Sequence, residues 1–173
     1  MSLEKSEKTP EEIKKQEAIR SIEAINTGSE QKAQLILVLL DLKLAAVLSL
    51  YPWNSSPEET EYLLEKTSMK YLKKKVDPKD KAIAEYVVSK DEKKAIRLLS
   101  PISDTEYGTL MGYPETAIEA FEKKDTYEGP MPEDIEHSLF QLKFSKANFE
   151  EEFEIVRSWN KVLQEYAPDL AKG

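Results

Sequence analysis

Residues 35–50 read Leu-Ile-Leu-Val-Leu-Leu-Asp-Leu-Lys-Leu-Ala-Ala-Val-Leu-Ser-Leu and form the most apolar stretch of the chain, with interruptions at Asp41, Lys43 and Ser49. A segment that is apolar on nearly all sides predicts a helix buried in the core. A membrane span over residues 33–53 is the alternative, but two central charges would cost roughly 2.5–3.5 kcal/mol each. No second apolar span accompanies it. We therefore expect a core helix and no membrane contact.

The composition limits the architecture and excludes several classes of site. The chain has 173 residues, 40% of them hydrophobic, which favours one domain that folds without disulfides or a structural metal. It has no cysteine, which excludes zinc ribbons, iron–sulfur clusters and thiol nucleophiles. Its one histidine, His137, excludes a metal centre with several histidine ligands. We predict neither a cofactor nor a metal site.

The charge balance indicates which partners and which compartment to expect. Lysine and arginine number 25 and acidic residues 33, a net charge of −8, which argues against nucleic acid as a partner. A local lysine run over residues 70–81 either keeps a hairpin edge soluble or contacts RNA. The first fifteen residues contain no apolar signal segment, so we expect a cytoplasmic protein with a disordered tail over residues 1–8. The high lysine and glutamate content is typical of thermophile proteins.

Helix start signals recur along the chain. Thr9-Pro10-Glu11-Glu12 places a capping threonine, a proline at the first helical position and a glutamate at the third. Ser56-Pro57-Glu58-Glu59 repeats this pattern. The last helix has the cleanest apolar stripe, with Asn148 as its cap and Glu151 at its third position. The signals predict helices that begin near Pro10, Ser29, Pro57, Asp91, Asp104, Pro114 and Asn148.

Two short runs around a turn signal predict a β-hairpin. Residues 69–76 mix apolar residues with lysines, residues 83–88 are rich in strand-forming residues, and Asp77-Pro78-Lys79-Asp80 between them is typical of a turn. Residues 139–144 indicate one further strand. No long linker divides the chain. The sequence therefore predicts a single helix-rich α+β domain over residues 9–170, with few short strands and a hairpin within residues 69–88.

The run Gly108-Thr109-Leu110-Met111-Gly112-Tyr113-Pro114-Glu115-Thr116 contains the strongest candidate site. Gly112 can adopt the left-handed conformation that ends a helix, and Pro114 starts the next helix at once. The result is a tight bend that carries an aromatic residue, Tyr113. Free amides after Pro114 could bind an anion, although Glu115 can satisfy them itself. The bend is either a packed structural corner or a site for a ligand or partner.

The run Gly112-Tyr113-Pro114-x-x-Ala117-Ile118-x-x-Phe121 resembles the signature of an uncharacterised, mainly archaeal protein family of unknown function. Residues 40–46, followed by Tyr51-Pro52-Trp53, are similar to a second recurrent segment of that family. The resemblance implies no activity, because none is assigned to the family. Cysteines often occur in the family where this chain has Glu115, Thr116 and Ala117, so no thiol or metal role is carried over to them.

Asp41 and Lys43 lie in the most apolar stretch, where a buried charge needs a partner. On a helix, residues two apart point about 200° away from each other, so these two would not pair. Each could reach solvent or a neighbouring helix end from the edge of its own helix. Alternatively, Asp41 meets the bend at residues 112–116 and helps to line a pocket there.

These observations favour a non-catalytic protein that binds a partner protein or a small ligand near the bend and near Tyr51 and Trp53. The alternative is a hydrolase that works with carboxylates alone, with or without Mg²⁺. We assign no catalytic residue and no oligomeric state. The candidate binding residues are Asp41, Lys43, Tyr51, Trp53, Gly112, Tyr113, Pro114 and Thr116.

Overall fold

A small antiparallel sheet with helices on both faces organises the chain in the computed structural model, which describes residues 8–54, 56–140 and 142–172. The strands are β1 (Ala45–Leu50), β2 (Lys70–Lys74) and β3 (Ala84–Ser89). This architecture confirms the predicted helix-rich α+β class. The helices, in chain order, are α1 (Pro10–Ala24), α2 (Ser29–Leu39), α3 (Pro57–Glu65), α4 (Glu92–Leu99), α5 (Asp104–Leu110), α6 (Glu115–Lys123), α7 (Glu133–Glu136), α8 (Phe149–Tyr166) and α9 (Pro168–Ala171).

The apolar stretch over residues 35–50 is not one helix, contrary to the prediction. The end of α2 and all of β1 share it, with a turn over residues 40–44 between them. Asp41 is left-handed there (φ 61°), and its amide and the next one donate to the carbonyls of Val38 and Leu37. This Schellman arrangement closes the last helical turn. Burial then alternates along most of β1, as expected of a strand.

The division of the stretch also bears on the membrane alternative. α2 has 11 residues, whereas a helix needs about 20 apolar residues to cross a bilayer. Across residues 8–54, 56–140 and 142–172, no helix combines the length and the apolar character that a membrane span requires.

β3 is the central strand, because β1 and β2 both pair with it in antiparallel orientation. Ser89 of β3 lies opposite Ala45 of β1 on one side and opposite Lys70 of β2 on the other. The β2–β3 pair is the hairpin that the sequence predicts within residues 69–88, and its connecting loop covers residues 75–83.

The two faces of the sheet pack against cores of unequal size. The larger core lies between the sheet and α1, α2 and α8, and it contains the fully buried side chains of Leu48 and Tyr86. The smaller core joins the opposite face to α4. Its buried residues are Ala45, Val87, Ala95 and Leu98.

α8 is the longest helix of the described chain, with 18 residues, and its predicted apolar stripe is confirmed. Phe153, Val156, Trp159 and Leu163 of this stripe are all buried. Asn148 is the N-cap residue, as predicted, but its side chain accepts no hydrogen bond at the start of the helix.

Residues 139–144 form no strand within the part that the structure describes, contrary to the prediction. Their aromatic side chains pack against α8 instead. Phe140 contacts Trp159, with ring centres 5.3 Å apart, and Phe144 contacts Phe153 at 4.8 Å. Each ring is thus buried without a neighbouring strand. The predicted tail lies outside the described residues except for Lys8, whose amine donates to Gln16 (2.7 Å).

α5 and α6 meet at the predicted bend. α5 ends in a second Schellman arrangement, in which Gly112 is left-handed (φ 74°) and its amide and that of Tyr113 donate back into the last turn. Pro114 is the N-cap of α6 rather than its first residue. The bend packs on the turn after α2 so closely that a Cβ on Gly112 would lie 3.2 Å from the Cα of Lys43.

Replacement of Gly112 by alanine is expected to destabilise the fold by about 1–3 kcal/mol, because alanine is strained at positive φ and its Cβ would crowd the Lys43 backbone. Gly28→Ala is the matched control. Gly28 has φ −63° and free space around an added Cβ, so its change should cost less than about 1 kcal/mol, the loss expected for alanine at this N-cap position. Urea unfolding compares the two variants, and equal losses would contradict the assigned role of the Gly112–Lys43 contact.

Candidate functional site

The amine of Lys43 is buried between two aromatic rings. Lys43 is 3% exposed, and its Nζ lies 4.6 Å from the centre of the Tyr113 ring and 4.9 Å from a ring centre of Trp159. Among the described residues, this nitrogen has no hydrogen-bond partner. Burying an unpaired ammonium costs several kcal/mol. A group kept at such a cost is a candidate for function.

Three elements bring this site together. Lys43 lies in the turn that ends α2, Tyr113 follows the turn that ends α5, and Trp159 lies on the buried stripe of α8. The two turns touch at Gly112, where the absent side chain lets the two backbones approach. The apolar stretch and the bend, both singled out in the sequence, thus meet through Lys43.

Burial lowers the pKa of Lys43 from 10.5 to about 7, and the negative charge of Glu30 partly opposes the shift. The faces of Tyr113 and Trp159 also favour the charged amine, by roughly 0.5–2 kcal/mol. One pKa unit corresponds to about 1.4 kcal/mol, so these attractions are smaller than the effect of burial. Both protonation states of Lys43 are therefore populated near neutral pH.

A buried carboxylate, Glu152, holds the other side of the bend. It is 1% exposed, and it accepts hydrogen bonds from the Thr116 hydroxyl (2.5 Å) and from the amide and the hydroxyl of Ser145 (2.7 Å each). These bonds satisfy the buried carboxylate. Glu152 thereby joins the first turn of α6 and the segment before α8 to α8 itself.

Glu152 and Trp159 are not among the binding residues that the sequence predicts. The available signal was their spacing, because residues seven apart lie on the same face of a helix. A glutamate that shares the apolar face of α8 with Val156 and Trp159 indicates a buried carboxylate with partners elsewhere in the fold.

A groove of about 320 Å³ lies between α5, α6 and the segment before α8. The two helices approach closely because Gly108 has no side chain, and a Cβ there would lie 2.9 Å from the Cγ1 of Ile118. Tyr113 lines this groove and also covers the Lys43 amine. The charged lining residues are Asp104 and Lys143, and the larger apolar or aromatic ones are Tyr107, Tyr113, Ile118, Phe121 and Leu142.

Asp41 does not take part in this site, which corrects the hypothesis that its carboxylate meets the bend. The carboxylate forms an ion pair with Lys90 (2.6 Å), and the Asp41 side chain is 75% exposed. The expectation that Lys43 reaches solvent from a helix edge is also wrong, since Lys43 is buried. The reason is that both residues lie in a turn rather than on a helix.

Tyr51 and Trp53 form a separate aromatic surface. Their rings stack with centres 5.1 Å apart, and Trp53 is 69% exposed. They follow the end of β1, whereas Lys43 precedes its start. A strand of six residues spans roughly 20 Å. The structure therefore does not bring these two rings to the bend.

A hydrolase that works with carboxylates needs acidic groups that lie close together. In the part of the chain that the structure describes, no three acidic or histidine side chains cluster so as to hold a metal ion. The carboxyl groups of Glu12 and Asp134 have pKa values below their usual range, because they accept hydrogen bonds at Thr9 and from Arg157. Neither has the raised pKa of a general acid.

The free energy of unfolding is expected to rise with pH between about 7 and 10. Lys43 loses its proton near pH 7 when folded but near pH 10.4 when unfolded, so the unfolded state binds more protons across this window. We expect a gain of roughly 2–3 kcal/mol by about pH 9 relative to about pH 6.5. Lys43→Met should abolish this gain, and Lys93→Met, at an exposed position, should keep it. Urea unfolding at each pH measures the free energy of unfolding. An equal dependence of this free energy on pH in both variants would contradict the assignment of the effect to Lys43.

Removal of the buried carboxylate by Glu152→Ala is expected to destabilise the fold by about 2–4 kcal/mol, because it leaves the Ser145 amide and hydroxyl without an acceptor. Glu151→Ala is the matched control, since Glu151 is exposed on the same helical turn and should change stability by less than about 0.5 kcal/mol. Thermal unfolding distinguishes the two variants. A small effect of Glu152→Ala would show that the bend does not depend on this carboxylate.

Comparison of the chain with protein-family models, with curated proteins and with solved structures gives no match. The resemblance of the Gly112-Tyr113-Pro114 run to a mainly archaeal family therefore stays a prediction.

Proposed function

We propose that this protein binds a small, mostly apolar ligand in the groove between α5 and α6. The observation that supports this most directly is the groove itself, where three aromatic side chains, Ile118 and Leu142 surround about 320 Å³. Small-molecule sites are typically concave and mostly apolar, with a few polar groups that orient the ligand. Asp104 and Lys143 supply such groups at this groove.

The size of the groove favours a small ligand over a partner protein. Ligand sites commonly enclose about 300–1,000 Å³, and this groove lies at the small end, which suits a single ring system or a short chain. A stable protein interface buries roughly 800 Å² on each partner, which is far more than a groove of this size can offer.

The exposure of the groove residues also supports binding. Phe121 is 50% exposed and Tyr107 is 39% exposed, although burial of such side chains stabilises a fold. A ligand that covers both rings would remove apolar area from water. Asp104 is the one carboxylate that lines the described groove, whereas hydrolysis by acids alone uses a pair. Binding without hydrolysis is therefore the simpler proposal.

The proposal predicts that Phe121→Ser weakens binding of the fluorescent apolar probe ANS by about fivefold. The exposed half of the Phe121 ring would contribute roughly 1 kcal/mol to the binding free energy of ANS, and its loss corresponds to about fivefold in affinity, because 1.4 kcal/mol corresponds to about tenfold. Trp53→Ser is the matched control, because Trp53 is also an exposed aromatic residue but lies at the other end of β1. The affinity of the Trp53→Ser variant for ANS should differ by less than about twofold from that of the unmodified protein.

Fluorescence titration of the folded variants measures both affinities. Equal losses in the two variants would mean that the probe binds exposed rings anywhere on the surface. That result, or no saturable binding to the unmodified protein, would overturn the proposal.

A further inference from the structure

We propose that the amine of Lys43 is a nucleophile that captures small aldehydes as a Schiff base. The aldehyde would reach the amine through the groove, so the route rests on the proposed function. The inference depends on three features of the structure: a buried amine without partners, an aromatic residue that separates it from the groove, and surroundings that suit a cationic product.

The environment of the amine is that of a reactive lysine rather than a structural one. Structural lysines bury their stem and keep the ammonium in water or on a carboxylate. Lys43 does neither, because it is 3% exposed and its Nζ has no hydrogen-bond partner among the described residues. A lysine in an apolar enclosure is activated in this way, since the neutral amine carries the free electron pair.

Tyr113 is the residue that connects the amine to the groove. Its ring centre lies 4.6 Å from Nζ, and the same residue lines the groove. It is half-buried and follows the left-handed Gly112. Rotation of this one side chain would open a path from the groove to Nζ and leave Trp159 in place on α8.

The reaction is balanced without any further reactant. The neutral amine adds to the carbonyl carbon, its proton passes to the carbonyl oxygen, and a carbinolamine forms. The carbinolamine then loses its hydroxyl group and the remaining amine proton as water, which leaves a carbon–nitrogen double bond. Uptake of one proton from solvent gives the iminium cation.

The surroundings favour a cation as the product. The faces of Tyr113 and Trp159 attract positive charge, and the negative charge of Glu30 also acts on this amine. An iminium spreads its charge over carbon and nitrogen, so its burial costs less than that of a compact ammonium. An anionic adduct, such as the carbamate formed with carbon dioxide, would meet the negative ring faces.

The protonation state of Lys43 supports the proposal. With a pKa of about 7, half of the amine is neutral at neutral pH, whereas an exposed lysine is neutral in about one molecule in 2,500. The ionisable groups that act on the amine or on the Tyr113 ring are Glu30 and Tyr107.

The experiment treats the full chain with benzaldehyde and sodium cyanoborohydride at neutral pH and maps benzylated lysines by mass spectrometry. We expect Lys43 to react at least about tenfold faster than the exposed Lys93, because its neutral fraction is far larger. Its rate should level off above pH 7, while that of Lys93 continues to rise. A Lys43 rate no faster than that of Lys93 overturns the proposal. A rate that increases with urea in step with global unfolding also overturns it.

Variants of two groove tyrosines test the route. Tyr113→Ala should accelerate labelling of Lys43 severalfold, because it removes the ring that covers Nζ. Tyr107→Ala is the matched control, since Tyr107 lines the same groove, whereas the rings over the amine in the described residues are those of Tyr113 and Trp159. Circular dichroism confirms that each variant is folded. Equal rates in the two folded variants would overturn the route past Tyr113.

Saturation with ANS separates this proposal from the proposed function. If aldehydes enter through the groove, bound ANS slows labelling of Lys43 but not of Lys93. ANS binding without preferential labelling of Lys43 refutes the Schiff base and leaves the groove intact. Preferential labelling without ANS binding supports the nucleophile and refutes the groove as a ligand site.

Discussion

The backbone contact between Gly112 and Lys43 is the constraint on which the site depends. Two helices, α2 and α5, end in the same kind of left-handed turn, and the two turns lie against each other. Since a Cβ on Gly112 would crowd Lys43, the approach requires glycine. The approach brings Tyr113 over the Lys43 side chain, and α8 closes the other side with Trp159.

α8 serves the fold and the site with the same face. Val156 and Leu163 of this face belong to the larger core. Glu152 on the same face binds the start of α6 through Thr116, and Trp159 contacts the amine. A single helix therefore holds the α6 end of the bend and one side of the Lys43 amine. Sites that are built on helices and strands hold their geometry more accurately than sites built on loops.

Local signals in the sequence are sufficient to predict much of the fold. The capping boxes, the hairpin around Asp77-Pro78 and the stripe of α8 are short-range patterns, and short-range forces produce them. The break within residues 35–50 could not be predicted, because a mostly apolar run fits a buried helix and a buried strand equally well. A left-handed Asp41 ends α2 there, and aspartate tolerates this conformation only occasionally.

Only the part of the candidate site that local signals specify could be predicted from the sequence. Gly112 and Tyr113 were visible as a bend, but Lys43 gains its importance only from contacts with residues distant in sequence. Residues 139–144 illustrate the same limit, because their aromatic rings pack against α8 rather than in a sheet.

The difference in size between the two hydrophobic cores has a consequence for local unfolding. Four buried side chains, two of them alanines, and three partly buried ones form the core between α4 and the sheet, and α5 follows α4 directly in the chain. Regions with few buried apolar contacts exchange their amide hydrogens through local opening, before the whole protein unfolds. One wall of the groove, α5, thus adjoins the layer with the smaller core, and a molecule bound there would be expected to slow its local opening.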